Sequence, residues 1–296
     1  MASSPSLLSK TLAHLRASIP SYLSKTNANV AHLDRSTPIA FPLARRTALI
    51  RFRLLSRTST LDKTLLTVSY TLHLLHAVLA KTPKFSVSRL TASLTPLTAI
   101  FDDFRVFLRL WGLLGIYSWG VSTYLTPPGD GIVRAITWGQ VVACALYQGL
   151  ENGAYLAGKG VLGWKKERIA GAWIWSGRAW CAYVALEFAR LGYERGELKR
   201  QDSERQRRKN ADLRGIDDEG EAVEKGELEL RMDKVEYEGL RERWGKWYKE
   251  VGVNVAYAPM TIHYSLEDGI LGEGAIGGLG VVVGALSIEQ AWSETA

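Results

Sequence analysis

The stretch from Ile100 to Trp119 constrains the chain most. It reads Ile-Phe-Asp-Asp-Phe-Arg-Val-Phe-Leu-Arg-Leu-Trp-Gly-Leu-Leu-Gly-Ile-Tyr-Ser-Trp. It is too apolar for an ordinary surface helix and too charged for an ordinary membrane span. Asp102, Arg105 and Arg109 recur at i, i+3 and i+7, the spacing of one helix face. Leu97, Phe101, Phe104, Leu108 and Trp111 fall on the other faces. A segment of this kind belongs at a membrane boundary or against partner helices. The expected orientation places the Asp102/Arg105/Arg109 face toward headgroups or a partner, and the Phe, Leu and Trp faces toward lipid.

Charge is distributed unevenly. Residues 1–60 carry nine Lys or Arg and one acid, Asp34; residues 190–250 carry sixteen Lys or Arg and seventeen Asp or Glu; residues 251–296 carry five acids and neither Lys nor Arg. Such a change along one chain indicates different environments for its parts. The pattern divides it into a weakly ordered start (1–40), basic amphipathic helices (41–96), a central amphipathic and hydrophobic region (97–190), a charged solvated segment (191–250) and a Gly-rich apolar C-terminal helix (251–296). The expected class is all-α: a membrane-associated helical protein with amphipathic helices and two to three marginal transmembrane helices.

Periodicity supports that class. Leu61, Leu65, Val68, Leu72, Leu75 and Leu79 step by four and three, an amphipathic helix, and Pro83 follows it. Before it, Arg45, Arg46, Arg51, Arg53 and Arg57 interleave with Leu49, Ile50, Phe52, Leu54 and Leu55. Cations over an apolar face suit an anionic lipid surface, each contributing about 1 kcal/mol. The expected membrane-binding set is Arg45, Arg46, Arg51, Phe52, Arg53, Leu54, Arg57, Leu65 and Leu72. A solvated face in a helical bundle and a cleaved mitochondrial presequence are the competing readings of the basic front.

Three later segments approach the length of a span. Residues 135–150 hold no charge, residues 169–189 carry Arg178 and Glu187 inside an apolar run, and residues 274–288 are uncharged and Gly-rich. Arg178, Glu187, Glu151 and Asn152 are candidates to pair inside a bundle, because ionisable groups in apolar helices seek partners. Gly274 with Gly278, and Gly280 with Gly284, have the small-xxx-small spacing that permits close helix contact and self-association.

Chemistry-bearing motifs are scarce. No Ser/His/Asp, Cys/His or paired-acid constellation stands out, so no enzyme is expected and no catalytic residue is assigned. No cofactor is expected: the Gly-rich tail lacks the Lys-Ser/Thr and preceding strand of a nucleotide loop. No metal site is expected, since His73 and His76 lack further ligands. Cys144 and Cys181 read as packing residues. Nucleic acid is not an expected partner, since no recognition module is present.

The residues do resemble a known family. Leu54-Leu55-Ser56-Arg57, then Leu61-Asp62-Lys63-Thr64-Leu65 and Tyr70, is similar to the N-terminal block of the peroxisomal biogenesis factor 11 family. Asp103-Phe104-Arg105-Val106-Phe107-Leu108-Arg109-Leu110-Trp111-Gly112-Leu113 resembles its central block, in the fungal or gamma-like branch. Asp103, Arg105, Arg109 and Trp111 are the motif residues. Gln148, Glu151, Asn152, Ala154 to Ala157 and Trp164 resemble the stretch that follows. The resemblance implies a peroxisomal membrane protein that curves, elongates and helps divide peroxisomes. It implies amphipathic-helix insertion into the cytosolic leaflet, homo-oligomerisation, and recruitment of a tail-anchored fission adaptor and a dynamin-like GTPase. The alternatives are a membrane channel or transporter for small solutes, for which Arg178, Glu187 and Glu151 are the best evidence, and a mitochondrial membrane assembly protein.

Overall fold

A computed structural model describes residues 58–82, 89–212 and 222–293. These residues belong to one compact unit and, where regular, are helical throughout. The elements are α1 (Thr58–Lys81), α2 (Arg89–Leu108), a 3-10 turn (Arg109–Trp111), α3 (Gly112–Leu125), α4 (Gly131–Gly158), α5 (Lys166–Asp212), α6 (Ala222–Tyr264) and α7 (Glu273–Ser293). The amphipathic helix read from residues 61–79 is α1. Arg45, Arg46, Arg51, Phe52, Arg53, Leu54 and Arg57 lie outside the described residues.

Local chemistry fixes the boundaries. Pro127-Pro128-Gly129 breaks the chain before α4, and Asp130 caps α4 by accepting hydrogen bonds from the Ile132 and Val133 amides at 2.7 and 3.0 Å. That is an ordinary N-cap, satisfying donors a helix start leaves open. The α6–α7 turn is held by His263, whose Nδ1 accepts from the amides of Ile270 (2.8 Å) and Leu271 (3.0 Å). Gly269 lies in this turn at φ 62°, a backbone conformation that favours glycine, and a Cβ there would meet the His263 ring.

Helix packing follows a closed path. α2 packs on α1, α1 on α7, α7 on α6, α6 on α5 and α5 on α4; α4 returns to α2 through the 3-10 turn. α3 packs on α4. The ring surrounds a cavity of about 970 Å³.

Polar groups make up much of this ring's interior, and apolar side chains much of its outside. Ser69, Arg105, Gln140, Gln148, Glu151, Ser176, Glu187 and Asn254 are buried. Leu114, Tyr117, Tyr124 and Leu125 on α3 are each at least two-thirds exposed, while Thr123 is the one buried residue of that helix. The compact apolar core is small: Leu66, Ala256 and Val283, with Tyr70, Val253, Tyr257 and Leu279 packed on it. Large contiguous apolar surfaces on a folded chain mark contact with lipid or partners.

Three expectations need refinement. First, the segment 100–119 is not one continuous helix, because it breaks at the 3-10 turn Arg109–Trp111. Second, of the marginal spans, one among the described residues, Glu273–Ala291 in α7, is long and apolar enough to cross a membrane. At 1.5 Å per residue its 19 residues extend about 28 Å, close to the hydrocarbon thickness. α4 and α5 are long enough but carry inward polar residues (Gln140, Gln148 and Glu151; Glu187). Third, the described parts of the charged segment, residues 191–212 and 222–250, continue α5 and α6 as an antiparallel pair. Leu191, Leu198 and Leu240 are buried there, flanked by Arg205–Asp233 at 2.7 Å and Arg208–Glu236 at 2.5 Å.

Candidate functional site: a polar ring interior and an apolar rim

The interior is built around the 3-10 turn. Arg109 Nε stands 3.0 Å from Glu151 Oε1 of α4. One residue further on each side, Asn152 Nδ2 donates to the Leu110 carbonyl at 3.1 Å. The Gln148 amide donates to Asn152 Oδ1 at 2.8 Å and holds that side chain in place. Gly112 lets Gln148 approach: a Cβ on Gly112 would lie 2.7 Å from Gln148 Oε1. The break in the helix thus exposes a carbonyl that α4 satisfies, as a buried polar group requires. Gln148, Glu151 and Asn152 sit at i, i+3 and i+4 on α4, so a single helix face supplies all three.

Asp102 and Arg105 point inward as well. Asp102 accepts from Ser69 and pairs with His73 at 2.9 Å. Burial alone would raise the Asp102 carboxyl. The hydrogen bonds from His73 and Ser69 and the nearby charges of His73 and Arg105 outweigh it and hold the group below its ordinary value. The Arg105 guanidinium lies 5.4 Å from the centre of the Tyr70 ring and its Nε is 4.0 Å from Asp62. Of the two orientations expected for the Asp102/Arg105/Arg109 face, headgroups or a partner, the contacts correspond to a partner. Their partner helices are α1 and α4 of the same chain, since three charges on one face are better compensated by facing polar groups than by lipid. Asp103, one position on, does face outward and pairs with Lys159 at 2.5 Å. Trp111 is exposed and packs edge-on against Phe107 at 5.7 Å.

The pairing foreseen among Arg178, Glu187, Glu151 and Asn152 is redistributed. Arg178 is exposed, stacks on Trp175 at 4.8 Å and donates to the Ser265 carbonyl at 3.3 Å. Glu187 instead meets Arg190 at 2.8 Å and Gln140 at 3.0 Å, and Arg190 also reaches Glu250 of α6 at 2.5 Å. Arg190, Gln140 and Glu250 escaped sequence reading. The Glu187–Arg190 spacing was a visible signal, whereas Glu250 is sixty residues away. His73 and His76 take separate partners, Asp102 and Glu273.

The glycine seam of α7 is occupied within the chain. A Cβ on Gly277 would sit 2.6 Å from the Leu74 amide nitrogen, and Cβ atoms on Gly280 and Gly284 would collide with Tyr70 and Thr67. Gly274 contacts Ala77 more loosely, and Gly278 has open space. The seam expected to join two copies therefore seats α1, whose backbone approaches because these positions lack side chains.

The rim is apolar. On α1, Val68, Leu75 and Val78 are exposed, and Leu61, Leu65, Leu72 and Leu79 are half-buried. The opposite side, with Leu66, Ser69 and Ala77, is buried against the bundle. The periodic apolar row read from the sequence thus lies on the outward side, with Val68 and Leu75 exposed and Thr71 exposed between them.

No curated protein and no solved structure matches this chain. A family model described as peroxisomal biogenesis factor 11 matches residues 49–292. The match includes α1, the 3-10 turn with its α4 partners, and α7. The chain belongs to the peroxisomal biogenesis factor 11 family, whose members act in the biogenesis of peroxisomes.

Proposed function

We propose that this chain resides in the peroxisomal membrane and promotes its curvature, elongation and fission by wedging apolar helix faces into one leaflet. The observation that carries this reading is the orientation of α1. Its outward row (Val68, Leu75 and Val78, with Leu65 and Leu72 beside it) is apolar, while its inward side holds Ser69 and His73. A helix that directs its polar residues to a bundle and its apolar row outward loses hydrophobic stabilisation in water. It regains part of the roughly 1.5–3 kcal/mol that full burial of a large apolar side chain is worth when that row enters lipid. Insertion into one leaflet expands that leaflet and favours bending. The exposed residues of α3 extend the apolar surface, and α7 supplies a candidate anchor across the bilayer.

Cations at Arg45, Arg46, Arg51, Arg53 and Arg57 add attraction to anionic lipid in this reading. Homo-oligomerisation belongs to it too. With Gly277, Gly280 and Gly284 seated on α1, the side of α7 carrying Gly278 is the one open to a second copy. A tail-anchored adaptor and a dynamin-like GTPase would complete fission.

The test is cellular. The chain carries a fluorescent tag beside a peroxisomal marker, and organelle number and shape are scored on deletion and on overexpression. Fewer, larger organelles on deletion and elongated ones on overexpression are expected. Localisation elsewhere, or unchanged organelles in both conditions, contradicts the proposal.

A further inference from the structure

Membrane bending makes no use of the half-open cavity inside the ring, about 970 Å³, a volume suited to a small molecule. Most of its charges are matched. Asp102 meets His73, Arg109 meets Glu151, and Arg190 meets Glu187 and Glu250. One opposed pair is much looser. Arg105 Nε and Asp62 Oδ1 both line this cavity and stand 4.0 Å apart. Among the described residues neither atom has a hydrogen-bond partner; Arg109 Nε shares that lack but keeps Glu151 Oε1 at 3.0 Å as its counter-charge. The Arg105 side chain is only 9% exposed. A separation of 4.0 Å is too long for a hydrogen bond, and a buried donor left unpaired costs about 1–3 kcal/mol. An orphan donor beside an orphan acceptor calls for a group that offers both an anionic oxygen and a cationic donor.

The walls narrow the choice. Seven carboxylates and three guanidiniums line the cavity. A simple anion would add to that acidic excess, and a simple cation would leave Arg105 unpaired. Trp180 packs on Tyr257 at 5.3 Å and on Tyr264 at 6.2 Å. Aromatic faces combined with carboxylates hold ammonium groups by cation–π attraction and charge. We propose that the cavity binds a phosphate–ammonium zwitterion, a phosphoethanolamine or phosphocholine group, with phosphate on Arg105 and ammonium toward Asp62 and the aromatic wall. The same group is offered by a membrane lipid and by a water-soluble phosphodiester. Only the choice of lipid as the source rests on the membrane reading given above. Binding in detergent is measured without any vesicle whose shape changes, so failure here and failure of membrane bending are separate results.

Native mass spectrometry and tryptophan fluorescence titration of the full chain in detergent test the assignment. The probes are glycerophosphocholine, glycerophosphoethanolamine, the corresponding diacyl lipids, and two single-sign probes, glycerophosphate and tetramethylammonium. One zwitterion per chain is expected, bound about ten-fold or more tighter than either single-sign probe, the equivalent of one charge-assisted contact. Binding of diacyl lipids alone identifies the membrane as the source; equal binding of the soluble forms identifies a free phosphodiester. Asp62→Asn and Arg105→Gln are each expected to weaken binding about ten-fold. Circular dichroism reports whether each variant keeps its helices, and Asp62→Asn, at the more exposed partner, decides the case if Arg105→Gln unfolds. Glycerophosphate binding as tightly as the zwitterions, a folded Asp62→Asn variant binding like the parent, or no adduct with any probe overturns the proposal.

Discussion

Arg109 Nε lies 3.0 Å from Glu151 Oε1, and this contact joins the break in the motif segment to the polar face of α4. Glu151 is buried, with its side chain 5% exposed. Its charge has no aqueous alternative. Glu151→Ala removes the nearest counter-charge of Arg109, which is 28% exposed, and is expected to lower stability by up to about 3 kcal/mol, whereas replacing both residues by methionine costs much less. Thermal unfolding in detergent of the single and double variants checks this. A single variant no less stable than the double would refute the pairing.

The Leu110 carbonyl depends on the Asn152 amide. Asn152→Ala is expected to cost about 1–3 kcal/mol, the range for a polar group left unsatisfied. The effect should be local. Amide hydrogen exchange should rise over residues 108–114 and stay unchanged in the α5–α6 pair.

The α1–α7 seam makes opposite predictions for neighbouring glycines. Gly277→Ala places a Cβ against the backbone of Leu74, which cannot rotate away, and overpacking of this kind costs about 1–3 kcal/mol. Gly278→Ala meets nothing and should be neutral or stabilising by up to about 1 kcal/mol through helix propensity. Chemical denaturation of the two variants separates them.

Asp102 makes the α1–α2 contact sensitive to acid. Its carboxyl is held below the ordinary value by His73, Ser69 and Arg105 despite burial. A carboxylate with a depressed folded value stabilises the fold above its unfolded value, near pH 4, and that contribution disappears as pH falls through the folded value. Melting temperature should therefore drop with acidification below about pH 4. Asp102→Asn should remove that part of the slope and be less stable near neutrality. A parallel pH profile for both proteins would exclude the role.

How much of this was legible in the sequence varied with the range of the interaction. The helix of α1 follows from the 4/3 stepping of Leu61 to Leu79, a local property. So does the turn at Pro127-Pro128-Gly129. Which way α1 faces was less accessible. Its periodic row marks an apolar stripe, but only packing against Gly277, Gly280 and Gly284 turns the other side inward. The inward pointing of Arg105 and Arg109 depends on Asp62 and Glu151, more than forty positions away. The 3-10 break at Arg109–Trp111 was hidden as well, because no proline marks it and Asn152 stabilises it from another helix. Conversely, the family motif residues were visible before their reason was. Arg109 and Gly112 lie on one side of the contact between the 3-10 turn and α4, and Gln148, Glu151 and Asn152 on the other.

The outward apolar row of α1 is the centre of this account, and charge placed on it gives the most direct test. Val68 and Leu75 are exposed members of that row, so glutamate at both positions places charge on the outward side. Full-length protein and the Val68→Glu/Leu75→Glu variant are added to liposomes with anionic lipid, and tubulation is scored by electron microscopy. Circular dichroism confirms that the variant is folded. The account predicts tubules with the parent protein and intact spherical liposomes with the variant. Tubulation by the folded variant at the parent's level would contradict it.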